Sequence, residues 1–274
     1  MGYYPPRVLA ADAKRFGVEV IPPDINKSSG RYTVEKGAIR VSLKQLRGMS
    51  EETLESILSA REEHRFTSLR DFVLRTNVSS PILENLVKVG AFDSLGNHND
   101  LVLQLSGVAD LKHKVLKGTN PLFEDNIPEA ELLVDTCDDD IRARLLIELE
   151  LLSLNLSAHP LDFYSANAGI TKMKDLSSIP TGKHVKLVGS VIRYQTPPTR
   201  NGKRVVYVIM EDGTGIADVT VFNDVQEKCG IVLFREGWLT VEGKIQRRGQ
   251  KATSIIAENL SRAEVIEHGC CMCP

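Results

Sequence analysis

Two clusters of basic residues in the last third of the chain have side chains suited to binding phosphate. Each cluster lies in a turn between apolar segments, and together they comprise Arg200, Lys203, Arg204, Arg247, Arg248 and Lys251. Guanidinium and ammonium groups form charge-assisted hydrogen bonds with phosphate oxygens. The pattern therefore predicts two loops that contact the backbone of a nucleic acid. The alternative is that these cations are only solvated.

The composition limits how such binding would work. The formal net charge is −2 at pH 7, so contact with nucleic acid must use local basic patches. Aromatic residues make up only 5% of the chain, which restricts base stacking to a few positions.

Other kinds of site are disfavoured. No run of about 18 apolar residues is present, and the first residues lack signal-peptide features, so we expect a cytoplasmic protein without a membrane span. Cys270, Cys271 and Cys273 crowd the end of the chain without a second pair at zinc-finger spacing. The run Asp138-Asp139-Asp140 is interpreted as the acidic start of a helix. We expect no cofactor in this chain and a disordered tail over residues 268–274.

The basic turns connect five predicted strands between residues 183 and 258. Two of these strands flank Glu211-Asp212-Gly213-Thr214-Gly215, whose glycines supply the positive φ that a tight hairpin needs. A short helix over 223–230 follows the third strand. This order is typical of an OB-fold β-barrel, which receives oligonucleotides on strands two and three and on two flanking loops. On that face the candidate contacts are Tyr194 and Tyr207.

The first hundred residues contain a second pattern associated with nucleic acids. A short helix over 42–46, a turn and a helix over 51–61 follow the h-x-G-h-x pattern of a helix-hairpin-helix. Amides at the start of the second helix can hold a backbone phosphate without reading bases. The candidate residues at this turn are Arg47, Gly48, Met49 and Ser50.

Two features of this turn weigh against a phosphate site. Ser50, which is also a good N-cap, stands where the motif usually has a second glycine, and Glu51 and Glu52 bring negative charge. A plain corner between two helices is the alternative.

A second helical hairpin follows, with Ser80 as the predicted cap of its second helix. His159, further along, has no partner base or nucleophile in view and is assigned a packing or capping role.

Further runs of residues carry a resemblance to a known family over nearly the whole chain. They are Tyr4-Pro5-Pro6 with Asp12-Ala13, Gly17-Val18-Glu19-Val20, Pro22-Pro23-Asp24, Leu46-Arg47-Gly48, Phe66-Thr67-Ser68-Leu69 with Asp71-Phe72, Gly90 to Gly96, His159-Pro160-Leu161, Glu211 to Gly215 and Val219 to Phe222. In this order they resemble the C-terminal part of the bacterial DNA polymerase III alpha subunit, of the replicative or the error-prone type.

The resemblance implies an α+β multidomain chain. Residues 1–40 would end a fingers-like segment, 41–116 would form a tandem helix-hairpin-helix domain, 117–170 would be a linker with connector helices, and 171–267 would be the OB-fold barrel. The hairpins would contact the backbone of a duplex and the barrel would contact the single-stranded template during DNA replication or repair synthesis.

The resemblance also implies what this chain is expected to lack. The catalytic carboxylates of the family lie in a palm domain upstream of the Tyr-Pro-Pro segment, and Mg²⁺ would belong to that palm. No stretch of the sequence corresponds to it, and Met1-Gly2-Tyr3-Tyr4 looks like an internal start. We therefore expect a truncated gene product, a split subunit or a cloned fragment that is inactive alone.

The expected partners are DNA and either other replication subunits or a separate catalytic chain, with no membrane. Two alternatives stay open. One is a protein-interaction module that docks onto replication subunits without touching DNA. The other is a tRNA-binding OB protein, because similar OB domains occur in aminoacyl-tRNA synthetases.

Overall fold

The computed structural model describes residues 4–105, 107, 141–164, 169–197, 204–248 and 252–263. The chain divides into two compact units, Val18–Ser157 and a second that combines Met1–Gly17 with Ala158–Pro274. Helix α1 (Pro6–Arg15) therefore belongs with the barrel, although the whole of the other unit separates them in sequence. The boundaries after residues 40, 116 and 170 stay a prediction from sequence motifs.

The unit Val18–Ser157 opens with a small sheet. Strand β1 (Val20–Ile21) pairs in parallel with β3 (Ala38–Arg40), and β2 (Thr33–Glu35) pairs antiparallel with β3. Lys36 and Gly37, between β2 and β3, both have positive φ, as a tight turn requires. Strands β2 and β3 thus form a β-hairpin that turns at these two residues.

Helices make up most of the rest of this unit, as far as the structure describes it. A short 3₁₀ helix (Leu43–Gln45) precedes α2 (Glu51–Glu63), α3 (Leu69–Arg75), α4 (Ser80–Lys88), α5 (described over residues 98–105) and α6 (Ile141–Leu152). The Ser50 side chain accepts a hydrogen bond from the Thr53 amide, and the Ser68 side chain accepts one from the Asp71 amide. Each bond satisfies an amide that the first helical turn leaves free, which confirms Ser50 as the cap of α2.

The start of α4 differs from the prediction by one residue. Ser80 is the first helical residue rather than the cap, and Ser79 takes the N-cap position without a side-chain cap hydrogen bond. Pro81 then lies in the first turn, where its missing N–H leaves no intrahelical bond unmade. Favourable proline geometry at this turn, and not a side-chain cap, thus fixes where α4 begins.

Aromatic rings fill the core of the helical unit. Phe72 lies edge-to-face with both Phe66 and Phe92, with ring centroids 4.9 Å apart in each pair. All three side chains are buried. Such aromatic pairs contribute about 0.5–1.5 kcal/mol beyond the area that they bury.

The other unit contains a closed five-stranded barrel. Its strands are β4 (His184–Gln195), β5 (Val206–Glu211), β6 (Ile216–Val221), β7 (Trp238–Arg248) and β8 (Ala252–Arg262), and α7 (Asn223–Arg235) lies between β6 and β7. The order around the barrel is β4-β5-β6-β8-β7, with β6 and β8 parallel and the other pairs antiparallel. This confirms the predicted OB fold and the α+β class.

Helix α7 is longer than the predicted 223–230. Gly230 does not end it, because its φ is not positive and α7 continues to Arg235. Beyond this glycine, Leu233 is fully buried in the barrel core and Val232 packs against it. Burial against the barrel therefore overrides the helix-breaking preference of glycine.

Inward and outward side chains alternate along the barrel strands. On β5, Val206, Val208 and Met210 are buried in the core, while Tyr207 and Ile209 between them face outward and are half-buried. No helix in the described parts of the chain is long and apolar enough to cross a membrane.

Candidate nucleic-acid interface

The outward side chains of four adjacent barrel strands form two cross-strand rows. In the order β4, β5, β6 and β8, the first row is Arg193, Ile209, Asp218 and Ser254, and the second is Gln195, Tyr207, Thr220 and Ile256. Neighbouring strands are about 4.8 Å apart, so each row spans roughly 14 Å. We call these eight residues the outward face; Thr220 is only 3% exposed, and the other seven are exposed or half-buried.

Arg193 is the cation of the outward face. Its side chain is exposed and has no ion pair within the part of the chain that the structure describes. A β-bulge between Val191 and Arg193 shifts the alternation of β4, so that Arg193 lies beside Ile209 on the outside. Sequence reasoning missed this residue, because strict alternation from Val185 would turn Arg193 inward.

The same bulge separates the two candidate tyrosines. Tyr207 lies in the second row of the outward face. Tyr194 is in register with the core residue Val208 and packs against the core, with its ring centroid 5.6 Å from that of Phe234. Its hydroxyl donates to the Glu236 carbonyl at 3.3 Å, and burial raises the pKa of Tyr194. The structure therefore places Tyr207, and not Tyr194, on the outward face.

The six loop cations are described only in part. Arg200, Lys203 and Lys251 lie outside the described residues, as does the side chain of Arg248. Arg204 is exposed immediately before β5. For the cations outside the described residues, a contact with nucleic acid stays a prediction from sequence.

Arg247 has a structural role. Its guanidinium Nη2 donates to the Ser177 carbonyl at 2.6 Å and to the Ile179 carbonyl at 3.0 Å. These bonds hold the end of β7 to the segment that precedes β4. Only the part of the guanidinium not engaged in these bonds is left for an external anion.

The hairpin turn of the helical unit directs two amides toward protein acceptors. The Arg47 amide donates to the Leu151 carbonyl at 2.7 Å, and the Met49 amide donates to the Leu46 carbonyl at 3.0 Å. The Arg47 guanidinium lies 3.7 Å from the Glu150 carboxylate. Half of the candidate phosphate-binding residues are thus engaged with other parts of the same unit.

The other half have the backbone geometry of the motif. Gly48 has a φ of +84°, which glycine adopts without steric cost, and Ser50 caps α2. The Lys44 ammonium lies 2.5 Å from the Glu51 carboxylate. This ion pair offsets part of the negative charge that weighs against phosphate at the turn.

Two family comparisons match the two units. Residues 17–101 match the family described as a helix-hairpin-helix motif, and residues 174–262 match the family described as an OB-fold nucleic acid binding domain. An error-prone DNA polymerase from Symbiobacterium thermophilum is 31% identical over 91% of this chain. A DNA polymerase III subunit alpha from Aquifex aeolicus is 31% identical over 86% of this chain.

The chain is homologous to part of the bacterial DNA polymerase III alpha subunits and error-prone DNA polymerases. It spans 27% of the length of the Symbiobacterium protein and 20% of the Aquifex protein. The family resemblance expected from the sequence is therefore confirmed, and so is the presence of both nucleic-acid-binding domain types.

Solved structures similar to this polymerase homologue overlap it only in part. The asparaginyl-tRNA synthetase from Pyrococcus horikoshii is 19% identical over 36% of this chain and 23% of that chain, with a TM-score of 0.30. A TM-score this low carries no argument about function.

Elsewhere on the barrel of this polymerase homologue, strands β4, β7 and β8 carry paired charges. We call His184, Lys186, Glu242, Lys244 and Glu258 the paired face. The Lys186 ammonium lies 3.0 Å from the Glu242 carboxylate, and Glu258 lies 2.8 Å from Lys244 and 3.1 Å from His184. Hydrogen bonds from the two lysines hold the pKa values of Glu242 and Glu258 below their ordinary range. An anion approaching this face would have to displace a carboxylate.

A buried carboxylate closes one end of the outward face. Glu211 occupies the next outward position of β5 and is 3% exposed. It accepts hydrogen bonds from the Ser190 hydroxyl at 3.0 Å and the Gly213 amide at 3.1 Å, and the Arg7 guanidinium lies 3.6 Å away. Burial alone would raise the pKa of Glu211, but neighbouring His159 and these two donors hold it below its ordinary value.

His159 caps the short 3₁₀ helix Pro160–Phe163. Its Nδ1 accepts a hydrogen bond from the Leu161 amide at 3.2 Å, and the Asp162 carboxylate accepts one from the His159 amide at 2.8 Å. This confirms the capping role. Among the described residues, no group of three His, Cys, Asp or Glu side chains is arranged to hold a metal ion.

Proposed function

We propose that this chain is a DNA-binding part of a polymerase of the DNA polymerase III alpha type, and that its barrel binds single-stranded DNA on the outward face. One observation carries the proposal. Arg193 is exposed near Tyr207 and has no ion pair among the residues that the structure describes, whereas the cations of the paired face are held by carboxylates. The match of residues 174–262 to an OB-fold nucleic acid binding domain supports it.

The proposed contact is electrostatic and independent of sequence. Cations that neutralise backbone phosphates release counterions, so the affinity falls with salt by about 0.7 logarithmic units per tenfold salt for each contact to a single strand. Tyr207 offers one aromatic ring to a base, and stacking of this kind contributes about 1–3 kcal/mol. With few contacts, binding is expected to be weak, and its salt slope should be correspondingly shallow.

In the same proposal, the helical unit contacts the backbone of a duplex at the turn formed by residues 47–50. The match of residues 17–101 to a helix-hairpin-helix motif and the positive φ of Gly48 support this role. Because the Arg47 and Met49 amides are already hydrogen-bonded, we expect this contact to contribute less than the barrel does.

In this proposal the chain assists nucleotidyl transfer during replication or repair synthesis by binding DNA. It does not contain the site of that reaction. Mg²⁺-dependent chemistry is assigned to a palm domain, as the family resemblance implies, and a separate catalytic chain or other replication subunits are the proposed protein partners. Primer extension by the purified chain with Mg²⁺ tests this assignment. Incorporation of nucleotides would contradict it.

The barrel contact is tested by the fluorescence anisotropy of a labelled oligothymidine strand, titrated with protein at rising salt. Arg193→Met should weaken binding about five- to tenfold and reduce the salt slope by about 0.7. Lys186→Met removes the same charge from the paired face and should change the affinity less than about twofold, as expected of an exposed ion pair. Equal losses in the two variants would mean that only net charge matters, and would contradict the proposal.

A second candidate function is docking onto another replication protein. Ile231 and Phe234 on α7 favour it, because they are 74% and 52% exposed. Absence of oligothymidine binding near about 50 mM salt, where electrostatic binding is strong, together with a stable complex with a polymerase subunit, would favour docking. Markedly tighter binding of tRNA than of oligothymidine would favour the third reading, a tRNA-binding OB protein.

A further inference from the structure

Arg7 reaches from α1 to the bulge of β4. Its guanidinium Nη2 donates to the Val191 carbonyl at 3.0 Å, and its Nη1 donates to the Ser190 hydroxyl at 2.7 Å. More than 180 residues of sequence separate these partners. Val191 is the last residue in regular register before the bulge, so Arg7 contacts the backbone where the alternation of β4 changes.

The contact is anchored on its far side by β5. The Ser190 hydroxyl donates to the Glu211 carboxylate at 3.0 Å, and the other Glu211 oxygen accepts from the Gly213 amide at 3.1 Å. The Arg7 guanidinium is 3.6 Å from the same carboxylate. Ser190 and Glu211 are both nearly fully buried and the Arg7 side chain is 31% exposed, so the bond between Ser190 and Glu211 is shielded from solvent and the whole set holds the backbone of the bulge between α1 and β5.

The bulge decides which side chains reach the outward face. In the observed register Arg193 lies beside Ile209, and Tyr194 lies beside the core residue Val208. If Ile192 were paired in regular register instead of bulged, strict alternation would turn Arg193 inward and Tyr194 outward, because a shift of one residue reverses every side chain of a strand. A group that stabilises the bulge therefore controls the position of Arg193.

We propose that Arg7 is a positioning residue that holds the β4 bulge in the shape that presents Arg193 on the outward face. The structural part of this inference is independent of ligand binding. The consequence for DNA affinity rests on the proposed function of the barrel. The two parts are tested by separate measurements.

The structural part is tested by amide NMR spectra of the full chain. Arg7→Met should shift the amides of residues 191–194 and leave those of β7 and β8 in place. Arg15→Met is the matched control, because it removes one positive charge from the same helix and its ion pair is with Asp12 of that helix. If Arg7→Met shifts these amides no more than Arg15→Met does, the proposal is wrong.

The DNA part uses oligothymidine anisotropy. Arg7→Met should weaken binding about as much as Arg193→Met does, by about five- to tenfold, and the double variant should be no weaker than Arg193→Met alone, because coupled residues are not additive. If the double variant instead loses affinity by the product of the two single losses, Arg7 does not act through Arg193 and the positioning role is wrong. If wild-type protein does not bind the strand, the proposed function fails, while the amide spectra still decide the role of Arg7.

Arg7→Lys keeps the positive charge but not the two-pronged geometry of the guanidinium. It should shift the same amides by a smaller amount, and it replaces Arg7→Met in both measurements if that variant does not fold. A spectrum of Arg7→Lys identical to wild type would show that charge alone suffices, and would overturn the geometric argument.

Discussion

At the scale of single residues, Glu211 is the group whose charge matters most to the barrel. Glu211→Gln should lower the free energy of unfolding by about 1–3 kcal/mol at pH 7, because hydrogen bonds to a buried charged acceptor are stronger than those to a neutral one. Unfolding in urea, followed by fluorescence of Trp238, the single tryptophan of the chain, measures this. Glu242→Gln on the exposed paired face is the control and should change stability little.

The stabilisation by Glu211 should depend on pH. The pKa of Glu211 is lower in the folded chain than its ordinary value. Its contribution to stability is therefore complete above the unfolded pKa of about 4.3, and it is lost as the pH falls through the folded pKa. The stability difference between wild type and Glu211→Gln should shrink below pH 4 or thereabouts. If the stability difference between wild type and Glu211→Gln stays constant down to the folded pKa of Glu211, the ionised carboxylate is not the source of the stabilisation.

Among the loop cations, we expect Arg247 to stabilise the barrel and Arg204 to bind DNA. Arg247→Met should lower stability by about 1 kcal/mol at most, since it removes charged donors from two backbone carbonyls at an exposed position. Arg204→Met should leave stability unchanged and weaken oligothymidine binding, because the Arg204 side chain is exposed and makes no hydrogen bond or ion pair within the described residues. Urea unfolding and anisotropy on both variants check this, and a stability loss for Arg204→Met with none for Arg247→Met would reverse the assignment.

Residues whose role depends on local sequence could be predicted, and residues whose role depends on distant contacts could not. The caps at Ser50 and His159 follow from their positions just before helical segments. Whether Arg193 and Tyr194 face the outside or the core of the barrel depends on a bulge. Arg7, more than 180 residues away in sequence, contacts that bulge. No local pattern contains that information.

At the scale of elements, a close approach between β4 and β5 depends on Gly189. A Cβ at this position would lie 2.7 Å from the Glu211 carbonyl oxygen and 2.6 Å from the Met173 side chain. Gly189→Ala should therefore destabilise the barrel by about 1–3 kcal/mol, the usual result of overpacking. Thermal unfolding monitored by Trp238 fluorescence measures the loss.

Gly230 offers the matched substitution in α7. It is helical and a Cβ there would meet nothing within 4 Å. Gly230→Ala should stabilise the protein by about 0.5–1 kcal/mol, because alanine loses less backbone entropy in a helix. A destabilised Gly230→Ala, or a neutral Gly189→Ala, would show that the packing around these glycines differs from the description above.

The elements themselves were largely predictable. Alternating apolar strands, the glycines of the 211–215 hairpin and the helix after the third strand were sufficient for the OB fold. The predicted helix ended at Gly230. The burial of Leu233, a tertiary contact, carries the helix further.

At the scale of the whole molecule, α1 belongs to the same compact unit as the barrel, although the two are far apart in sequence. Motif matching assigns the first residues to the segment that follows them, whereas contacts from Arg7 join α1 to β4 and β5. The helical unit and the barrel each match a nucleic-acid-associated family, and the chain covers 27% and 20% of two polymerase relatives. Both units are therefore associated with nucleic-acid binding, and contact with DNA is the form of it that we propose.

The most direct test of that role is an NMR titration of the isotope-labelled chain with oligothymidine at low salt. The amides of Tyr207, Ile209 and Asp218 on the outward face should shift with increasing strand, and those of Lys186 and Lys244 on the paired face should not. The shifts should reverse when salt is raised, because the contact is electrostatic. Shifts confined to the paired face, or none at saturating strand, would contradict binding of single-stranded DNA on the outward face.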